Sequence, residues 1–155
     1  MGQARIFTPE NRLARVLSSL QGATAEQLVA NAEARVAGLE TAIRAYVQDR
    51  LTPIMAYADL DEAALFARCQ DLGAMSLDIS EVAAAGGMVT IGEAARGISA
   101  MVEGLLDRGV WHTDALKLHL DALALLSQTP SPGAAQVKAI MDQLLTMRRS
   151  IGISE

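Results

Sequence analysis

The sequence predicts an all-α fold, an antiparallel up-down bundle of helices that carries an N-terminal helical extension. Hydrophobic residues make up 51% of the 155 residues but aromatic residues only 3%, so the core has to be aliphatic and rich in alanine. Residues of this kind favour closely packed helices, whereas the aromatic side chains that suit strands are scarce. Apolar residues also recur at alternating three- and four-residue steps, which is the spacing of one helix face.

The first 60 residues are predicted to form an N-terminal helical arm, and residues 61–155 are predicted to form the bundle. Thr8 and Pro9 have the character of an N-cap and a first helical residue. They predict a short helix that runs to about Leu20.

A long second helix is predicted to begin at Thr24 or a neighbour and to run to about residue 51. A single apolar stripe marks it, formed by Val29, Ala32, Val36, Leu39, Ile43 and Tyr46. Because a proline disfavours helical geometry in the residue before it, Pro53 predicts a kink or break at Thr52.

Four further helices are predicted in the bundle, bounded by polar caps and glycines. The first begins after Asp61 and ends at Gly86–Gly87. Its buried stripe is predicted to be Leu65, Cys69, Leu72, Ser76, Ile79, Ala83 and Gly86. The others are predicted over about 90–108, 114–128 and 134–151. Short connections between helices favour antiparallel neighbours.

The charge distribution argues against nucleic acid as a partner. The formal net charge is −5 and the isoelectric point about 5.0, whereas proteins that bind nucleic acid present basic surfaces. The acidity is concentrated in residues 61–107, which hold eight Asp and Glu side chains against two arginines. No apolar run approaches the roughly 18–20 residues of a membrane span. We therefore expect a cytoplasmic protein with neither a nucleic-acid nor a membrane partner.

No set of residues in the sequence points to catalysis. One cysteine, Cys69, cannot form an intrachain disulfide or a cysteine-based metal site, and its place on a core stripe predicts an inert thiol. The two histidines, His112 and His119, are expected to be ordinary surface or helix-boundary residues. We therefore expect neither an enzyme nor a bound cofactor or metal.

A run of apolar, small and glycine residues spans the end of one predicted helix and the start of the next. It comprises Leu77, Ile79, Ala83, Gly87, Ile91, Ala94, Ala95 and Ile98. With Leu77 in the place of the phosphoacceptor histidine, this run resembles the signature helix pair of histidine phosphotransfer (HPt) domains. The resemblance covers roughly residues 61–150 and implies a four-helix bundle that works in two-component signalling.

The positions that carry the chemistry of HPt domains differ. Where the family has the phosphoacceptor histidine, this chain has Leu77. Where the family has the following lysine and the first glycine, it has Ser80 and Glu81. An imidazole nitrogen can accept a phosphoryl group and a lysine offsets its charge, but a leucine can do neither. Phosphotransfer at this position is therefore excluded on chemical grounds.

What remains is a possible binding surface. The helical period places Leu77 about 200° from Ile79, and therefore away from the core. Together with Leu77, its neighbours are predicted to contact a partner: Gly73, Ala74, Ser80, Glu81 and Ala84. The resemblance implies that this partner is the receiver domain of a response regulator or a histidine kinase, bound without phosphotransfer.

Other readings of the sequence remain open. The chain could be a structural or oligomerisation module that forms a homodimer through residues 24–51. It could also be a bundle that binds a small ligand between helices, with His119 in the pocket. A face of the bundle around Leu77 could equally be covered by the long N-terminal helix.

Overall fold

The computed structural model describes residues 24–129 and 133–153, and in this part of the chain every regular element is helical. The predicted all-α fold is confirmed. The α-helices are α1 (Ala25–Met55), α2 (Glu62–Ala67), α3 (Cys69–Val82), α4 (Val89–Arg108), α5 (Thr113–Gln128) and α6 (Ala134–Ser150), with 3-10 turns at Ala56–Asp59 and Ala83–Gly86. The predicted short helix between Thr8 and Leu20 lies outside the described residues. Among the described helices, none combines the length and the apolar character that crossing a membrane requires.

Helix α4 is the centre of an antiparallel arrangement. It makes the most extensive helix pair of the structure with α3, and it also packs against α5 and α6. The reversal between α3 and α4 uses the turn Ala83–Gly86 and then Gly87, whose φ of 71° lies in the left-handed region that glycine adopts without strain. The core is aliphatic, as predicted, and its fully buried side chains include Leu65, Leu72, Ile79, Ile98, Met101, Leu105, Leu116, Leu120 and Leu123.

The chain divides into two compact units, residues 1–37 and 38–155. Helix α1 crosses this boundary. Within the larger unit, the side chains of Val47, Leu51 and Ile54 on α1 belong to the hydrophobic core. The second half of α1 is therefore a core helix of the larger unit.

Several predicted helix ends are confirmed in atomic detail. Thr24 forms a capping box with Gln27: the Gln27 N–H donates to Thr24 Oγ1 at 3.2 Å, and the Thr24 N–H donates to Gln27 Oε1 at 2.9 Å. Asp61 caps α2, because its Oδ1 accepts the Ala64 N–H at 2.8 Å. Gly109 ends α4 in the left-handed conformation, with φ of 62°.

Of the kink or break predicted at Thr52, the break is wrong. Helix α1 continues through Pro53 and ends at Met55. Proline here removes a hydrogen bond only in the last turn of the helix, and the adjacent Ile54 is fully buried. Packing of Ile54 therefore outweighs the local preference of Thr52 for extended geometry.

The helix predicted between Asp61 and Gly86 is interrupted instead. Arg68 leaves helical geometry, with φ of −113° and ψ of 11°, and separates α2 from α3. Its guanidinium carbon lies 4.7 Å from the centre of the Tyr57 ring, within cation–π range. The core stripe nevertheless continues across the interruption, because both Leu65 and Cys69 are buried.

Replacing Gly38 by alanine is expected to stabilise α1. A Cβ built on Gly38 meets no atom within 4 Å, and glycine in a helix interior costs about 0.5–1 kcal/mol relative to alanine. Amide hydrogen exchange around residue 38 should therefore slow about two- to fivefold. Gly109→Ala is the matched control, since a Cβ there also meets nothing but φ is +62°. This control should destabilise the protein, and equal effects of both substitutions would contradict the explanation.

Candidate functional site

Helix α3 presents Leu77 to solvent. The Leu77 side chain is 45% exposed, whereas Ile79 on the same helix is fully buried. The predicted outward orientation of Leu77 on α3 is therefore confirmed. A role of Leu77 in partner binding stays a prediction.

The six side chains predicted to contact a partner are divided by the packing of α3. Ala74, Glu81 and Ala84 are exposed with Leu77. Gly73 is buried, and a Cβ built on it would lie 3.2 Å from Val102 Cγ1. The name Leu77 patch is used below for the exposed members, which are Ala74, Leu77, Glu81 and Ala84.

Ser80 is also turned away from the solvent. It is 7% exposed, and its Oγ donates to the Leu77 backbone oxygen at 2.8 Å. Gly92 of α4 packs close by, since a Cβ built there would lie 3.6 Å from the Ser80 backbone oxygen. Ser80 and Gly73 are small where two helices approach closely, so their size serves the packing of α3 against α4.

The surroundings of the Leu77 patch are acidic. Asp78 and Glu81 are exposed on α3, directly beside Leu77 in the helix. Ser80, which stands where the HPt family has a lysine, brings no positive charge. These groups repel a phosphate and favour a partner surface that is neutral or basic.

The predicted position of the His119 side chain is wrong. It was expected at the surface or at a helix boundary, but it is fully buried in the middle of α5. Its neighbours in the sequence gave the signal, because Leu116, Leu120 and Leu123 form a core stripe that His119 adjoins. The other histidine, His112, is exposed at the start of α5, as expected.

The environment of His119 keeps its ring neutral. Nδ1 lies 2.8 Å from the Ala115 backbone oxygen, which can only accept, so Nδ1 carries the proton and Nε2 is the unprotonated nitrogen. Nε2 is buried and has no hydrogen-bond partner among the residues that the structure describes. Burial lowers the pKa of His119, against a smaller upward effect of the bond to Ala115, and the positive charge of Arg148 lowers it further. Gly97 and Arg148 line a groove with a volume of about 260 Å³, but His119 is not one of the residues that line this groove.

The side chains of Cys69 and Trp111, which could react or bind a ligand, are packed against other residues. Cys69 is 3% exposed, in agreement with its predicted place in the core. Trp111 is half-buried and meets Phe66 edge to face, with ring centres 5.0 Å apart. Over residues 24–129 and 133–153, no three His, Cys, Asp or Glu side chains come together as a set of metal ligands.

A second apolar surface lies along α1. Five of its large apolar side chains are exposed, namely Leu28, Val29, Val36, Leu39 and Tyr46. Tyr46 is engaged by Arg50, whose guanidinium carbon lies 5.2 Å from the ring centre. The other four are aliphatic side chains that are exposed to solvent along α1.

Among the described residues, exposed apolar side chains lie in the Leu77 patch, along α1, and on α5, where Leu118 and Leu125 are exposed. Contiguous apolar surface is typical of sites that bind another macromolecule. In comparisons with known proteins, no protein-family model, no curated protein and no solved structure matches the chain.

Proposed function

We propose that this chain is a non-catalytic signalling adaptor, an HPt-like bundle that binds a two-component partner through the Leu77 patch and passes no phosphoryl group. The observation that carries the proposal is the 45% exposure of Leu77, which the resemblance to HPt domains aligns with the phosphoacceptor histidine. In the family that the sequence resembles, this position faces the partner. An exposed leucine at this position offers apolar surface for docking but cannot accept a phosphoryl group.

The shape of the patch supports docking by a flat partner surface. Ala74 on α3 and Ala84 in the 3-10 turn that follows are exposed, and their small side chains leave Leu77 and Glu81 as the long side chains of the patch. Apolar area removed from water contributes about 25 cal/mol per Å². Burial of Leu77 by a partner therefore contributes more free energy of binding than burial of any other side chain of the patch.

Charge favours one of the two partner types. The Leu77 patch includes Glu81 and adjoins Asp78, and receiver domains in two-component systems have acidic active sites. Like charges facing each other across an interface weaken binding. The dimerisation helices of a histidine kinase are thus the better electrostatic match, and increasing salt should weaken binding only modestly.

Replacing Leu77 by glutamate is expected to weaken partner binding at least about tenfold while leaving the fold intact. A panel of receiver domains and kinase dimerisation domains from the same genome would be titrated with the protein by isothermal calorimetry. We expect one partner to bind with a dissociation constant on the order of 1–10 µM. In Leu77→Glu the affinity should fall at least about tenfold, because a charge would be buried without a partner.

Leu118→Glu is the matched control, since Leu118 on α5 is 42% exposed and lies outside the Leu77 patch. This variant should bind the partner as the wild type does, and circular dichroism should show unchanged helix content in both variants. The proposal fails if no member of the panel binds, or if both leucine substitutions weaken binding equally. A phosphorylated receiver domain mixed with the protein should leave it unlabelled.

A further inference from the structure

Three of the four exposed aliphatic residues of α1 follow a heptad repeat, and the fourth, Leu28, lies beside it. Val29 and Val36 occupy the a positions, and Ala25, Ala32 and Leu39 the d positions of the same register. A heptad of apolar a and d residues is the pattern with which two helices pair in a coiled coil. We propose that residues 25–42 of α1 pair with the same residues of a second copy as a parallel, in-register coiled coil.

The structure limits the length of this seam. Thr24 caps the helix immediately before the first d position. The next a residue after Leu39 is Ile43, which is partly buried and packs against the core. A Cβ built on Gly86 would lie 2.8 Å from Ile43 Cγ2, and Val47 is fully buried. From Ile43 onward the apolar side chains of α1 are therefore used inside the larger unit, and only the first two and a half heptads are available.

Charged residues beside the seam select the parallel orientation. All three e positions hold glutamate, at 26, 33 and 40, and the g positions hold Leu28, Arg35 and Ala42. In a parallel pair a g residue faces the e residue five positions on, so Arg35 meets Glu40 of the partner subunit, and the twofold axis repeats this pair. An antiparallel pair brings e residues opposite e residues and therefore sets glutamates against each other. Opposite charges favour the first arrangement and like charges disfavour the second.

The seam residues also specify two strands and a modest affinity. Valine occupies both a positions and leucine one of the three d positions, and this combination of residue types favours a parallel dimer. Ala25 and Ala32 bury little area, so we expect a dissociation constant on the order of 10–100 µM. Because α1 is already helical from Ala25 to Met55, pairing does not have to order the helix first.

Sedimentation equilibrium of the full chain tests the dimer. The wild type should change from monomer to dimer between roughly 5 and 500 µM. Val36→Glu places a carboxylate on each side of the seam, and this variant should stay monomeric over the same range. Leu77→Glu should dimerise like the wild type, which keeps a failure of the dimer distinct from a failure of the proposed adaptor function. A wild type that stays monomeric throughout, or a Val36→Glu variant that dimerises equally well, would overturn the proposal.

Disulfide trapping tests orientation and register. In a parallel, in-register pair, Ala32→Cys and Leu39→Cys should each form a disulfide-linked dimer, because each d residue meets itself across the axis. An antiparallel pair can bring only one of these positions onto itself. The wild type should not cross-link, since its Cys69 is buried. Cross-linking at one position only, or at neither, contradicts the parallel seam.

Charge reversal gives an independent check of the same register. Arg35→Glu should weaken the dimer severalfold, because the new glutamate of each subunit faces Glu40 of the partner subunit. Arg35→Glu combined with Glu40→Arg should restore the affinity of the dimer. An unchanged affinity in the single variant would remove the argument for the parallel orientation.

Discussion

Replacing Leu72 by alanine is expected to lower the free energy of unfolding by about 3–5 kcal/mol. Leu72 is fully buried on α3, the helix that forms the most extensive helix pair of the structure with α4. The substitution loses the transfer free energy of the removed carbons, and it also leaves a cavity that close-packed aliphatic neighbours fill only in part. Urea unfolding followed by circular dichroism measures this difference.

Leu77→Ala supplies the control within the same helix. Leu77 is 45% exposed, and leucine and alanine have similar helix propensity. We therefore expect a change of less than about 1 kcal/mol. Similar losses for both substitutions would mean that α3 does not present Leu77 to solvent, and the binding surface proposed here would then not exist.

Acidification is expected to destabilise the protein through His119. The unfolded chain binds a proton at this residue as the pH falls below about 6.5, whereas burial lowers the pKa of the folded state. Between these two pKa values the unfolded state holds more protons, so stability falls as the pH falls, with a slope of at most about 1.4 kcal/mol per pH unit. Above pH 6.5 this contribution is fully present, and below the folded-state pKa the decline at this residue ends.

Urea unfolding at a series of pH values between 8 and 5 measures this decline. In His119→Leu the steep part near pH 6 should be absent, because leucine does not titrate and its shape suits a site among Leu116, Leu120 and Leu123. His112→Gln, at the exposed histidine, should keep the decline. If His119→Leu declines as steeply as the wild type, buried His119 is not its source.

The fold could be predicted largely because its signals are local. Gly87 and Gly109 have the left-handed dihedral angles that end a helix, and the polar caps at Thr24 and Asp61 begin the helices they were expected to begin. Arg68 had no such signal. No glycine or proline lies beside it, so nothing in the local sequence indicated the interruption between α2 and α3.

Tertiary packing explains the other differences. Proline predicted a break before residue 53, but burial of Ile54 holds the last turn of α1 in place. The core stripe that His119 adjoins points to burial, but whether a polar side chain beside such a stripe is buried or turned aside is decided by the packing of other helices. Both outcomes depend on contacts between segments far apart in sequence, which periodicity does not report.

The outward orientation of Leu77 could be predicted from the sequence, but the set of neighbouring residues that are exposed with it could not. The 3.6-residue period placed Leu77 outside and Ile79 inside, and the structure agrees. Gly73 and Ser80 were grouped with the surface because they are small. Small residues occur equally where helices approach closely, and at both positions α4 is the reason for the small size.

The contact between Trp111 and Phe66 provides the protein with its own optical reporter. Trp111 is the sole tryptophan of the sequence, and its indole N–H donates to Thr113 Oγ1 at 3.0 Å. Emission from this ring reports whether α2 and the segment before α5 remain together, and no residue of α1 takes part in that contact. Fluorescence should therefore follow unfolding while staying silent when two α1 helices pair. Loss of the fold and change of assembly state can thus be followed separately in one unlabelled sample.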